Sequence, residues 1–130
     1  MRESAAVAGQ ARDDERTIRL EVPALVDHVS LVRGTVRVVA GRVGAPDDTR
    51  SRLQAAAGHA FFALLDAVDH DRTATVAVEV WWGDGRIDAS LAVTPPPAAA
   101  PRLHDGLADG HEVDAATGAV HLWAAVSDEG

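Results

Sequence analysis

The chain has no cysteine, which excludes disulfide frameworks, thiolate zinc sites and cysteine nucleophiles. Lysine is also absent, so all 12 basic residues are arginines. Schiff-base chemistry, a lysine general base and a Walker-type phosphate lysine are excluded with it. No apolar run approaches the ~18–20 residues of a membrane span, and no apolar segment followed by a cleavage site opens the chain. A cytoplasmic protein with no membrane partner is expected. No Gly-x-Ser-x-Gly elbow, P-loop or His-Glu-x-x-His occurs, which leaves hydrolase and zincin readings without support.

Twenty acidic residues outweigh the basic ones and give a net charge of −8, which argues against non-specific nucleic-acid binding. The 130 residues, 47% of them hydrophobic, suit one domain able to bury roughly two thirds of its unfolded surface. Residues 1–16 are small and charged without periodicity and read as a loose tail. Residues 17–130 read as a single domain.

Alternation of Ile18, Leu20 and Val22 with Arg19 and Glu21 predicts a strand that Pro23 ends. Leu25, Val29, Val32, Val36, Val39 and Val43 follow at steps of three and four, which places them on one stripe of a helix with Pro23 in its first turn and Gly44 at its C-terminal cap. Pro46, Asp47 and Asp48 predict a second helix start, where acids favour the positive end of the helix dipole. Its apolar stripe is Leu53, Ala57, Phe61, Leu64 and Val68, and His70-Asp71-Arg72 is expected to close it. A strand over residues 73–82 then turns at Gly83-Asp84-Gly85. The returning strand points Ile87, Ala89, Leu91 and Val93 inward and leaves Arg86, Asp88 and Ser90 on a solvated face. Prolines 95, 96, 97 and 101 cannot continue a ladder. A last hairpin within residues 112–126 turns at Ala116-Thr117-Gly118 and points Val120, Leu122, Ala124 and Val126 inward. The order β, α, α, β, β, loop, β, β predicts an α/β (α+β) two-layer sandwich: a mixed, mostly antiparallel sheet with helices on one face.

On the second helix His59, Asp66 and His70 project within one stripe opposite Ala57, Leu64 and Val68, with Phe62 beside them. A solvated helix face accounts for such a stripe. A ligand site, intact or vestigial, and a His-Asp-His metal site are the alternatives, the last disfavoured by spacings of seven and four residues where one-helix chelation works best at i, i+4. His104 and His111 flank Asp105, Asp109 and Glu112, a set that reads as loop polarity or, alternatively, as a metal or catalytic cluster.

In order and spacing the chain resembles the bacterial anti-sigma-factor kinases, small members of the GHKL ATPase superfamily. Their second long helix carries Glu-x-x-x-Asn-x-x-x-His, and the matching positions here are Phe62, Asp66 and His70. The start Leu20-Glu21-Val22-Pro23-Ala24 is similar to the family's, as is the end formed by Glu112-Val113-Asp114 and Gly118-Ala119-Val120-His121-Leu122. The resemblance implies a nucleotide site in which the Asn position binds magnesium and the Glu position orients or deprotonates the attacking group. Phe62 has no lone pair for that role, whereas Asp66 keeps an oxygen for magnesium. Where the family has Asp-x-Gly-x-Gly to read adenine, this chain has Val93-Thr94-Pro95-Pro96-Pro97. Of the Gly-rich lid over the phosphates, Asp105-Gly106-Leu107 and Gly110 are at most remnants.

The expectation is therefore a catalytically degenerate regulator that binds a protein, either a sigma factor or a STAS-type anti-anti-sigma protein. No cofactor is expected; ATP and Mg would bind if the family site were intact. The resemblance also implies a homodimer. Alternation sends Trp81 and Trp82 to opposite faces and Trp123 opposite to Leu122, so Trp81 and Trp123 are interface candidates, unless the tail or the proline loop shields them. The rivals are an active ATP/Mg-dependent serine/threonine kinase that draws its base from His59 or His70, and a small metal-binding domain.

Overall fold

Alternation along the strands decides which side of the sheet is buried. The computed structural model describes residues 16–103 and 108–126. Its elements are β1 (Thr17–Pro23), a 3-10 turn (Val26–His28), α1 (Val29–Arg42), α2 (Asp47–Ala67), β2 (Thr75–Gly83), β3 (Arg86–Thr94), β4 (Gly110–Val113) and β5 (Val120–Ala125). They form one 5-stranded sheet in the order β1-β2-β3-β5-β4, antiparallel at every pairing. The predicted layers and element order are thus observed, and the sheet is wholly antiparallel among the described residues.

Both helices cover the face built by Val76, Val78, Val80, Ile87, Ala89, Leu91, Val93, Val120, Leu122 and Ala124, none more than 4% exposed. From α1 come Val32, Val36 and Val39; from α2 come Leu53, Ala57, Phe61 and Leu64, all at 0–1%. These are the residues that the three- and four-residue steps single out. Ala56, Ala60 and Leu65 join them, so the buried stripe of α2 is wider than the sequence pattern indicates.

Two helix boundaries differ from expectation. Pro23 closes β1 instead of opening α1, because the next amide, Ala24 N–H, still bonds across to the carbonyl of Ala74 at 2.9 Å. Leu25 is extended (φ −121°, ψ 143°) and the 3-10 turn precedes α1. At the other end, α2 stops at Ala67, short of His70. Asp69 (φ 52°) and His70 (φ 54°) are left-handed, and His70 N–H bonds back to the carbonyl of Leu65 at 2.8 Å, which satisfies a terminal carbonyl and turns the chain toward β2. Between β2 and β3 the expected hairpin is present: Asp84 (φ 52°) and Gly85 (φ 77°) supply the paired positive φ of a tight turn matched to strand twist.

After β3 the proline segment folds back over the last hairpin. Pro101 is buried, and a Cβ added to Gly118 would lie 2.6 Å from Pro97 Cγ and 3.5 Å from Pro101 Cδ. Gly118 has φ 77° and is itself buried, so this turn needs glycine for its backbone and for the room it leaves the prolines.

Candidate functional site

The polar stripe of α2 does not assemble into a cluster. His59 and Asp66 are seven residues apart, about 10 Å along the axis, and His70 lies beyond the helix end. Asp66 and His70 do meet, with Nε2 2.8 Å from Oδ1, but their side chains are 75% and 55% exposed. His59 is half-buried. Phe62 is partly buried against the core and meets Phe61 edge-on, centroids 6.1 Å apart. Among the described residues no group of three His, Asp or Glu side chains stands close enough to hold a metal ion. The donors that a magnesium nucleotide would need on this helix reduce to the one exposed carboxylate of Asp66, and these residues do not fit that group.

Near the start of α2, Arg52 reaches across to the segment leading into β4. Its Nη1 donates to Asp109 Oδ1 at 3.0 Å, and Asp109 Oδ2 accepts the Ala125 N–H at 2.6 Å. The amide bond from Ala125, then the Arg52 bond, hold the Asp109 carboxyl below its ordinary range against slight desolvation. Asp109 is therefore a structural tie. Of the residues flagged beside it, His111 is half-buried on β4 and Glu112 exposed, while His104 and Asp105 lie outside the described residues, as do Gly106 and Leu107. Asp109→Ala is expected to cost about 1 kcal/mol, and its coupling to Arg52→Ala about 0.5 kcal/mol because both side chains are over a third exposed. Urea melts of the double-mutant cycle, with hydrogen exchange at the Ala125 amide, measure both.

The face of the sheet turned away from the helices holds the most constrained polar group. Asp88, expected on a solvated face, is only 4% exposed. Arg86 Nε donates to Oδ1 at 2.9 Å and Nη2 to Oδ2 at 2.6 Å, a bidentate fork. His121 Nε2 lies 2.7 Å from Oδ2. Burial pushes this carboxyl up, but the bonds from His121 and Arg86 and their charges outweigh it, and the net shift is downward. The cover is aromatic. Trp81 stacks on His121 (5.4 Å, 23°), His121 meets Trp123 at 5.0 Å, and the Arg86 guanidinium sits 5.2 Å from the Trp123 ring centroid, a cation–π distance.

Trp81 and Trp123 are half-buried on the helix-free face, as parity predicts. Trp123 lies flat against Gly110, where an added Cβ would overlap the indole; the proline segment packs instead on Gly118. Gly110→Ala is accordingly expected to lift Trp123 off the sheet, costing roughly 1–3 kcal/mol, with a shift in tryptophan emission and a lower urea midpoint. Nothing in the alternation signals that an acid sits beneath these rings. The usable clue is cross-strand pairing: Trp81↔Asp88↔Trp123 is one row.

Among solved structures, the chain is similar to the RsbU and RsbW domains of Rv1364c from Mycobacterium tuberculosis, with a TM-score of 0.68 at 15% identity over 85% of this chain. It spans about a third (32%) of that chain's length. At this identity the likeness shows a common fold, which agrees with the predicted layers of sheet and helices. No protein-family model matches the sequence, and no curated protein does. No helix among the described residues is long and apolar enough to cross a membrane.

Proposed function

We propose that the chain is a regulatory protein of the anti-sigma type that acts by binding a protein, a sigma factor or a STAS-type anti-anti-sigma protein, and not by phosphoryl transfer. On this reading residues 17–130 form one histidine-kinase-like domain, residues 1–16 precede it as a tail, and the protein is a cytoplasmic homodimer that controls transcription. The observation that carries the proposal is Phe62. At the position where the resemblance calls for a glutamate, a phenyl ring is packed against the core beside Phe61, and no proton acceptor can occupy that place.

Two further features support it. The segment after β3, where the family reads adenine, is folded onto Gly118 by Pro97 and Pro101. On the helix layer, α1 exposes Leu31 and Val38 at 50% and 57% and carries Arg33, Arg37 and Arg42 with no acidic residue, a surface suited to an acidic, partly apolar partner segment. The kinase reading needs a base from His59 or His70. His70 has left the helix and is paired with Asp66.

Calorimetry with the sigma factors and STAS-domain proteins of the source genome tests the proposal. One of them is expected to bind with the same affinity in the presence and absence of Mg-ATP. An affinity that depends on nucleotide, or phosphate transfer to the partner, would contradict it.

A further inference from the structure

Two segments far apart in the chain meet between the end of β1 and the start of β2, where the Ala24 N–H bonds to the Ala74 carbonyl at 2.9 Å. The left-handed backbone of Asp69 and His70 turns the second segment toward the first. Between them lies a surface pocket of about 250 Å³, lined by Ala24, Leu25, Val26, Asp27, His70 and Arg72. It holds one cation, one anion and an apolar wall. Arg72 and Asp27 line the same hollow, yet among the described residues neither side chain enters an ion pair with the other or with any third group. The acid beside Arg72 in sequence is committed elsewhere: Asp71 Oδ1 accepts the Thr73 N–H and hydroxyl at 2.8 and 2.7 Å. His70 is committed to Asp66, with Nε2 2.8 Å from Oδ1. On the wall, Val26 remains 49% exposed and Leu25 half-buried.

We propose that this pocket binds a free α-amino acid with a short aliphatic side chain. The Arg72 guanidinium takes the carboxylate, which matches its fork of donors. Asp27 takes the ammonium, and the ligand's side chain lies on Leu25 and Val26, covering apolar surface otherwise left to water. An α-amino acid carries both charges on one carbon, so it bridges a cation and an anion that do not reach each other. A simple carboxylate or a simple amine satisfies one of them and leaves the other without a partner. The volume lies below the roughly 300–1,000 Å³ of pockets that take drug-sized molecules, which suits a ligand this small. The inference does not depend on the anti-sigma reading. Of the positions at which the resemblance places nucleotide chemistry, the pocket shares only His70, which serves it as wall.

Titration of the isotope-labelled full chain with L-leucine, followed by amide NMR, tests the site. Saturable shifts at Val26, Asp27 and Arg72 are expected, with a Kd of about 0.1–1 mM for so small a ligand in an open pocket. Two analogues separate the charges. 4-Methylpentanoate, which is leucine without its ammonium, and 3-methylbutylamine, which is leucine without its carboxylate, are each expected to bind at least about tenfold more weakly. Arg72→Gln is expected to weaken leucine about tenfold and leave 3-methylbutylamine unchanged. Asp27→Asn is expected to weaken leucine as much and leave 4-methylpentanoate unchanged. Both side chains are exposed, so the two variants are expected to keep the urea midpoint of the parent, and a lost affinity then reads the site and not the fold. Shifts that stay linear to about 10 mM, at least tenfold above the expected Kd, for L-leucine and L-alanine alike overturn the site. So do analogues that bind as tightly as the amino acid, or a leucine affinity that neither substitution changes.

Discussion

Asp88→Ala is expected to destabilise the protein by about 3 kcal/mol in urea unfolding, the low end for breaking a buried ion pair. The residue is 4% exposed and has both carboxylate oxygens engaged, so its removal leaves the His121 imidazole and the Arg86 guanidinium without their acceptor under two indoles. The Arg86 side chain is 45% exposed and can turn to water, which keeps the loss from reaching the upper end of that range. Asp88→Asn preserves the volume and one acceptor and is expected to cost less than half as much. A change below about 0.5 kcal/mol for the alanine variant, the scale of an ordinary surface substitution, would show that the bonds around Asp88 do not hold the face together.

The same residue sets an acid limit. The folded carboxyl of Asp88 titrates below its ordinary value, and so does that of Asp109. A depressed carboxylate contributes stability that is present above the unfolded pKa of about 3.9 and is lost as pH falls through the folded value. Stability is therefore expected to fall below pH ~4, and Asp88→Asn to flatten that fall. Urea midpoints of the two proteins between pH 2.5 and 7, about 1.5 units below and 3 above that pKa, check the sign.

Phe61→Ala is expected to have the largest effect on stability, a loss of about 3–5 kcal/mol from lost transfer energy plus an unfilled cavity. Phe61 is fully buried on the face of α2 that meets the sheet, where Leu64 and Leu65 are equally inaccessible and cannot relax into the space. Phe62→Ala, one residue on, lies at the margin of the core and is expected to cost less than half as much. Thermal or urea melts of the two variants separate a core position from a site position. Equal losses would mean that Phe62 is as much a core residue as its neighbour.

The order of elements and the inward set of each strand were legible because period-two alternation and helical steps report burial directly. Three things were not legible, each for a physical reason. The end of α2 depends on left-handed backbone at Asp69 and His70, which no glycine announces. That displaced His70 from the stripe it shared in projection with His59 and Asp66. The start of α1 depends on a cross-chain bond from Ala24 to Ala74, a tertiary contact invisible to a local pattern. Asp88 is the most instructive case. Alternation placed it correctly on the outward face, but outward was read as wet. What covers an outward residue is its neighbours on the same and adjacent strands, and here they are Arg86 on β3 itself and Trp81, Trp123 and His121 on the strands beside it. The tryptophans and the acid were each visible in the sequence; the register that joins them was not.

Titration calorimetry of the full chain with Mg-ATP tests most directly whether this fold works without nucleotide. The account predicts no binding heat up to about 1 mM, a concentration at which even a Kd in the high micromolar range would register. A saturable, micromolar isotherm would contradict it and make Asp66 the first residue to examine as a magnesium ligand.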